Sequence, residues 1–146
     1  MLLRRLGCLT AFLVALQAQA GEFLKSPVEA RQLSDRVMSK LASGELEQGL
    51  RLMQPYLIIP SAEFEAMLGQ AKLQEPMLAQ RFGNRQGFEF VREERVGESL
   101  LRITQIQKFE RHLTRWIFYF YRTNSGWVLN TFQFDDNIRA LFPGGG

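Results

Sequence analysis

The sequence predicts an α+β domain in which N-terminal helices pack on one side of a four-stranded antiparallel sheet. Two observations predict it. Apolar residues recur at helical spacing up to about residue 82, and from residue 88 onward the chain changes to aromatic-rich segments separated by glycine-containing turns. Helices followed by an antiparallel meander are typical of α+β domains, with the helices on one side of the sheet.

The first 20 residues are typical of a secretory signal peptide. Arg4 and Arg5 form a positive start, residues 6–16 are mostly apolar, and Ala18 and Ala20 supply the small residues that signal peptidase accepts. The apolar stretch is shorter than the roughly 20 residues of a membrane-spanning helix. We therefore expect cleavage after Ala20, a periplasmic or secreted protein, and no membrane span after cleavage.

The remaining chain divides into one predicted domain, residues 21–142, and a flexible tail, residues 143–146. Because Cys8 is the only cysteine, the cleaved chain has no thiols. Without Arg4 and Arg5 its sixteen Lys and Arg face fifteen Asp and Glu, so the net charge falls from +3 to +1. This balance gives no reason to expect a nucleic-acid partner.

The first predicted helix has clear end signals. Ser26 can cap it, Pro27 suits the first helical position, and Glu29 lies three residues after the serine as in a capping box. Gly44 ends the helix. Its apolar stripe consists of Ala30, Leu33, Val37 and Leu41.

Two further helices are predicted before residue 84. Pro55 should kink or end the second helix, whose apolar face carries Leu46, Leu50, Met53 and Leu57. Ser61 opens the third helix, Pro76 interrupts it and Gly83 stops it. The stripe of this third helix consists of Phe64, Met67, Leu68, Ala71, Leu78 and Phe82.

Four strands are predicted at residues 88–96, 100–109, 114–122 and 127–134. Gly97 and Gly126 mark two hairpin turns, whereas the turn near residues 110–113 has no Gly, Pro or Asn. The cluster Asp135, Asp136 and Asn137 favours a cap for a terminal helical turn, because three adjacent residues lack the spacing of a calcium loop.

The stretch RWIFYFYRTNSGWVLNTFQFDD, residues 115–136, resembles the closing hairpin of small secreted bacterial members of the nuclear transport factor two-like superfamily. The likeness covers most of residues 27–142 as three helical segments followed by long aromatic strands. It implies a cone-shaped roll whose concave face can hold a pocket and whose convex face is often covered by a second subunit. A cystatin-like arrangement, with one helix wrapped by a sheet, is the runner-up.

The third strand is apolar on both faces, since residues 116–121 run without a polar break. One face, with two flanking arginines, predicts a pocket for a small apolar or anionic ligand, lined by Trp116, Phe118, Phe120, Arg115 and Arg122. The other face predicts a homodimer interface made of Ile117, Tyr119 and Tyr121, because soluble monomers seldom leave such a patch bare. The alternative is that the chain's own helices and loops cover it.

Several chemistries are excluded or unsupported. With one histidine and no cysteine, the cleaved chain cannot form a conventional zinc site within one subunit, and no phosphate loop is present, so we expect no metal and no cofactor. No catalytic residue is assigned, because the candidates match no motif of the resembled enzymes. These candidates are Asp135, His112, Tyr56, Tyr119 and Tyr121.

Two other patterns have a functional and a structural interpretation. Residues 86–93, QGFEFVRE, partly match an RNA-recognition submotif but lack its basic residue, so Phe88 and Phe90 are predicted to be strand core. Six arginines could hold an anionic ligand. The favoured interpretation is that they lie on the solvated rim of the sheet and pair with glutamates. They are Arg92, Arg95, Arg102, Arg111, Arg115 and Arg122.

These observations favour an exported, non-enzymatic domain that dimerises and binds a protein partner or a small apolar ligand. Two alternatives stay open. One is a small-molecule isomerase or hydrolase-type enzyme that uses the cone, and the other is an accessory protein of envelope assembly.

Overall fold

The computed structural model describes residues 21–145 and confirms the predicted α+β class. The predicted signal peptide, residues 1–20, and Gly146 lie outside the described residues. Three helices precede a four-stranded antiparallel sheet that is not closed into a barrel. The helices are α1 (Pro27–Ala42), α2 (Leu46–Met53) and α3 (Ser61–Phe82), and the strands are β1 (Arg85–Val96), β2 (Leu100–Phe109), β3 (Leu113–Thr123) and β4 (Gly126–Asp135).

The local signals place the helix ends as predicted, with one exception. The Ser26 side chain accepts a hydrogen bond from the Glu29 amide, and α2 ends at Met53 before a 3₁₀ turn, Gln54–Tyr56, that contains Pro55. The predicted interruption at Pro76 is wrong, because α3 runs through this proline. Pro76 removes one amide donor, and it is exposed to solvent.

The sheet is a simple meander in the order β1-β2-β3-β4, with Gly97 and Gly126 at positive φ in the two predicted hairpin turns. The turn between β2 and β3 closes when the Phe109 amide donates to the His112 carbonyl at 2.9 Å. After β4 the Asn137 side chain accepts a hydrogen bond from the Ala140 amide and caps a 3₁₀ turn, Ile138–Leu141. This confirms the predicted terminal turn.

The inner face of the sheet packs against the helices and forms the core. Cross-strand register aligns Ile103, Phe118 and Phe132 in one row, and all three are buried. Phe88 and Phe90 of β1 are half-buried against the same core, as predicted for strand residues. The helices contribute Leu33, Val37, Met38, Leu50, Met53 and Phe64 to this interior.

The outer face of the sheet is partly covered by the chain's own C-terminal segment. Arg92, Thr104 and Ile117 are aligned across β1, β2 and β3, and the Arg92 guanidinium donates to the Leu141 carbonyl at 2.9 Å. The 3₁₀ turn that contains Leu141 contacts β3. Thr104 and Ile117 are consequently buried, with 1% and 5% of their surface exposed.

The free edge of β4 is partly covered by two segments from the N-terminal half. Leu24 pairs with Trp127 in antiparallel fashion, with amide-to-carbonyl distances of 2.9 and 2.8 Å, and Leu57 forms a parallel bridge with Leu129. Both contacts use backbone amide and carbonyl groups of the edge strand β4. Unpaired groups of this kind can pair with a strand of another chain. They also bring residues 21–24 and 54–61 together at one end of the sheet.

Candidate functional site

The structure does not bring the five predicted pocket residues together. Trp116, Phe118 and Phe120 lie on the inner face with 2% or less of their surface exposed, packed against the helices. The cavity beside Trp116 has a volume of about 20 Å³, which is room for one water molecule. These aromatic side chains therefore fill the interior of the roll at this place and stabilise the fold.

A chain of hydrogen bonds fixes the tryptophan in this core. Trp116 Nε1 donates to Thr114 Oγ1 at 3.1 Å, and the Thr114 hydroxyl donates to Gln107 Oε1 at 3.4 Å. Gln107 Nε2 then donates to the Leu41 carbonyl at the end of α1, at 3.0 Å. Because buried polar groups need partners, these hydrogen bonds explain why Gln107 and Thr114 are tolerated in the core. They also connect the sheet to the end of α1.

Arg115 and Arg122, the two predicted anion-binding residues, lie apart from the core aromatics. Arg115 is on the outer face and binds Asp135 of β4 through two hydrogen bonds, from Nε at 3.0 Å and from Nη2 at 2.6 Å. Its guanidinium is thus already paired within the chain. Arg122 is exposed and lines an open depression of about 1010 Å³ at the hairpin end, next to Lys25 and Arg95.

The Arg115–Asp135 pair predicts a pH dependence of stability. Burial raises the pKa of the Asp135 carboxyl, but the hydrogen bonds from Arg115 and from the Asn137 amide outweigh burial and hold this pKa below its ordinary value. A lowered folded-state pKa stabilises the protein above the ordinary aspartate pKa of about 3.9, and this stabilisation is lost as pH falls through the folded-state value.

We therefore expect Asp135→Asn to lower the melting temperature at pH 7, and the difference from wild type to shrink towards pH 2. Thermal unfolding followed by circular dichroism across this range measures it. Asp136→Asn is the matched control, because this exposed carboxylate lies 3.9 Å from Arg81 and from His112. A melting-temperature difference between Asp135→Asn and wild type that stays constant with pH would contradict the lowered pKa of Asp135.

The three residues predicted to form a dimer face have different environments. Ile117 is buried beneath the C-terminal segment of its own chain, so its burial requires no second subunit. Tyr119 is half-buried, and its hydroxyl lies beside the Arg102 guanidinium. Tyr121 is 45% exposed and keeps an apolar ring at the surface.

The catalytic candidates do not form an acid–base pair in the described residues. His112 packs edge-on against Phe82, and its Nε2 lies 3.9 Å from the exposed Asp136 carboxylate, beyond hydrogen-bond distance. Burial and the neighbouring Glu22 carboxylate raise the pKa of the Tyr56 hydroxyl, which is the opposite of what a tyrosine base requires. Asp135 is engaged by Arg115 and Asn137.

An open groove lies at the end of the sheet where residues 21–24 and 54–61 meet β3 and β4. This sheet-end groove has a volume of about 960 Å³ and is lined by Phe23, Ile58, Tyr121 and Val128, among others. Phe23 and Ile58 expose 42% and 58% of their surface. The polar side chains of its lining are Glu22, Arg51, Gln54, Ser61 and Thr123.

The apolar surface of the groove continues across the outer face of the sheet. Register aligns one residue from each strand in a single row, which we call the apolar row: Val96, Leu100, Tyr121 and Val128. Val96 is 69% exposed and Leu100 is 48% exposed. Tyr121 and Val128 belong to both the row and the groove. Because Val128 is 7% exposed, the exposed apolar surface passes from the groove to the row through Tyr121.

Most of this surface is not predicted by the sequence. Val96 and Leu100 were predicted as strand ends, and only pairing across the sheet aligns them with Tyr121. The run Leu57, Ile58, Ile59 and Pro60 was a usable signal, because four apolar residues in a loop between two helices have no helical face to bury them.

Three comparisons with known proteins found no relative with which the site can be compared. No protein-family model, no curated protein and no solved structure matches this chain. Within residues 21–145, no three His, Cys, Asp or Glu side chains lie close enough together to hold a metal ion. None of the helices that the structure describes is long and apolar enough to cross a membrane.

Proposed function

We propose that this protein is an exported, non-enzymatic interaction domain that binds an apolar segment of a partner protein in the sheet-end groove. The observation that carries the proposal is the continuous exposed apolar surface from Ile58 and Phe23, through Tyr121, to Leu100 and Val96. Soluble monomers rarely expose contiguous apolar surface of this kind, and aromatic residues are enriched where proteins bind one another.

The shape of the surface favours a protein segment over a small apolar ligand. Sites for small molecules bury most of the ligand in a concave cavity. Here the groove is open and adjoins the apolar row at Tyr121, so an extended protein segment can contact Ile58 and Leu100 together. The narrow cavity beside Trp116 offers no comparable space.

The non-enzymatic role is supported by the separation of the candidate acid and base groups. A general base must lie within hydrogen-bond reach of the group it serves. His112 is at the β2–β3 turn, and Asp135 is held by Arg115. The groove itself is lined by Glu22 and Arg51, and Arg51 is already bound by Glu47 and Glu65.

Export and the roll resemblance belong to the same proposal. Cleavage after Ala20 would leave Gly21 as the new N-terminus, at the rim of the groove. Three helices on a curved antiparallel sheet are compatible with the nuclear transport factor two-like roll that the aromatic strands resemble. An envelope-assembly accessory would use the same surface for its partner.

The proposal predicts that Tyr121→Glu weakens partner binding about tenfold or more, because a charge then enters the centre of an apolar contact. The purified protein is used to select binders from a random linear peptide library. Enriched peptides should share apolar residues, and their dissociation constants should be measured by fluorescence anisotropy. Circular dichroism checks that the variant is folded.

Gln133→Glu provides the matched control. Gln133 is exposed on the outer face, two cross-strand rows from Tyr121, so the same charge there should leave peptide affinity within about twofold. Failure to enrich apolar peptides would overturn the proposal, as would equal loss of affinity in both variants. Tight binding of the apolar dye anilinonaphthalene sulfonate, without any selected peptide, would support a small apolar ligand instead.

A further inference from the structure

Helix α3 carries a second apolar stripe, on the side opposite to its core stripe. Phe64, Leu68 and Ala71 are buried against the rest of the domain. The opposite stripe is exposed and recurs at the same helical spacing: Ala62, Ala66, Gly69, Leu73 and Met77. Leu73 and Met77 expose 72% and 68% of their surface. A helix that is apolar on two faces is typically covered on both.

Four of the five charged residues of α3 lie beside this stripe, whereas Glu75 lies on the core side and is bound by Arg85. The four are unequally distributed along the helix. The acidic residues Glu63 and Glu65 are in its first turns, and Lys72 and Arg81 are in its later turns. Glu63 and Arg81 are five turns apart at 3.6 residues per turn, so they share one flank. Glu65 and Lys72 share the other flank.

We propose that this stripe binds the same stripe of a second copy of the chain, with the two α3 helices antiparallel and crossing near Gly69. In this arrangement Leu73 of one copy meets Ala66 of the other, and Met77 meets Ala62, so each large side chain faces a small one. Gly69 has open space where a Cβ would lie, which allows the helices to approach closely at the crossing.

The distribution of charge selects a second copy in this orientation. When two antiparallel helices are related by a two-fold axis, the same flank of each helix lies on the same side of the interface. Glu63 of one copy therefore lies on the same side as Arg81 of the other. At 1.5 Å per residue the two are offset by about 7 Å along the helix, a span that their long side chains cover. Parallel helices would place acidic turns beside acidic turns. The antiparallel arrangement also aligns the helix dipoles favourably.

The other flank contributes less, because both of its charges are held in closer ion pairs within the chain than Arg81, which lies 3.9 Å from Asp136. Glu65 is bound by Arg51 at 2.9 Å, and Lys72 is bound by Glu47 at 2.7 Å. One helix pair also buries less than the roughly 800 Å² per partner of a standard interface. We therefore expect a dissociation constant on the order of micromolar.

The interface differs from the sheet face that the sequence predicted, and the two can be separated by experiment. Sedimentation velocity of the purified protein over a concentration series should show a monomer–dimer equilibrium. Leu73→Glu should raise the dissociation constant about a hundredfold, since each dimer then holds two buried carboxylates. Leu73 is exposed in the single chain, so the variant should fold as wild type does.

Tyr121→Glu is the control on the sheet face and should leave the dimer intact. A charge exchange tests the orientation: Glu63→Arg and Arg81→Glu should each weaken the dimer about fivefold, and the two together should restore it. A monomer at all concentrations would overturn the proposal. So would a dimer that survives Leu73→Glu or one that Tyr121→Glu disrupts.

Discussion

Phe118→Ala is expected to lower the free energy of unfolding by about 3–5 kcal/mol, the typical range for deleting a buried aromatic ring. Phe118 is 1% exposed and lies in register between Ile103 and Phe132 on the inner face of the sheet. Its neighbours come from adjacent strands and cannot collapse far enough to fill the space. Urea denaturation followed by tryptophan fluorescence measures the change.

Tyr121→Ala is the matched control for this loss. Tyr121 follows Phe118 on the same strand but points to the outer face, where 45% of its surface is exposed. Its removal should change the unfolding free energy by about 1 kcal/mol or less. Equal losses in the two variants would show that the inner and outer faces have been assigned incorrectly.

Gly126→Ala is expected to lower the unfolding free energy by about 2–3 kcal/mol, through backbone strain and a backbone clash. Gly126 has a φ of 137°, and a Cβ there would lie 2.8 Å from the Leu24 carbonyl oxygen. Relief of the clash would separate Leu24 from Trp127. Hydrogen exchange should therefore show reduced protection of both amides, beside the drop in urea midpoint.

Substitutions at two other glycines distinguish the cost of backbone strain from the cost of a steric clash. Gly97 also has a positive φ, of 58°, but a Cβ there has no neighbour within 4 Å, so Gly97→Ala should cost about 1 kcal/mol. Gly69 is helical with equally open surroundings, and Gly69→Ala should stabilise α3 slightly. If Gly126→Ala lowers the free energy of unfolding no more than Gly97→Ala does, the N-terminal segment is not held against β4.

Local signals in the sequence predicted the elements of this fold with few errors. Ser26 caps α1, Pro55 follows the end of α2, and Gly126 begins the strand after the last hairpin turn. Each signal acts through the conformation or hydrogen bonding of a few adjacent residues. The error at Pro76 has a physical cause, because Phe64 and Phe82 on either side of this proline are buried in the core, and α3 continues through it.

The candidate site could not be predicted in the same way. Alternation along β3 correctly separated Phe118 from Ile117, but it could not show that helices fill the space in front of Phe118. Nor could it show that the segment around Leu141 covers Ile117. Filling and covering depend on residues that are distant in sequence. As a result, the three aromatic residues of the predicted pocket and Ile117 of the predicted dimer face are buried within one chain.

The α+β class, the order of the helices and strands, and the turns between them could all be predicted from the amino-acid sequence, because periodicity and turn chemistry are properties of neighbouring residues. Which apolar side chains remain exposed depends instead on how the elements pack together. Strand register aligned Leu100 with Tyr121, and the bridge from Leu57 to β4 holds Ile58 in the groove that Tyr121 also lines. The core stripe of α3 turned inward, which left Leu73 in solvent. Exposure follows from the packing of whole elements, and packing is set by contacts between residues far apart in the chain.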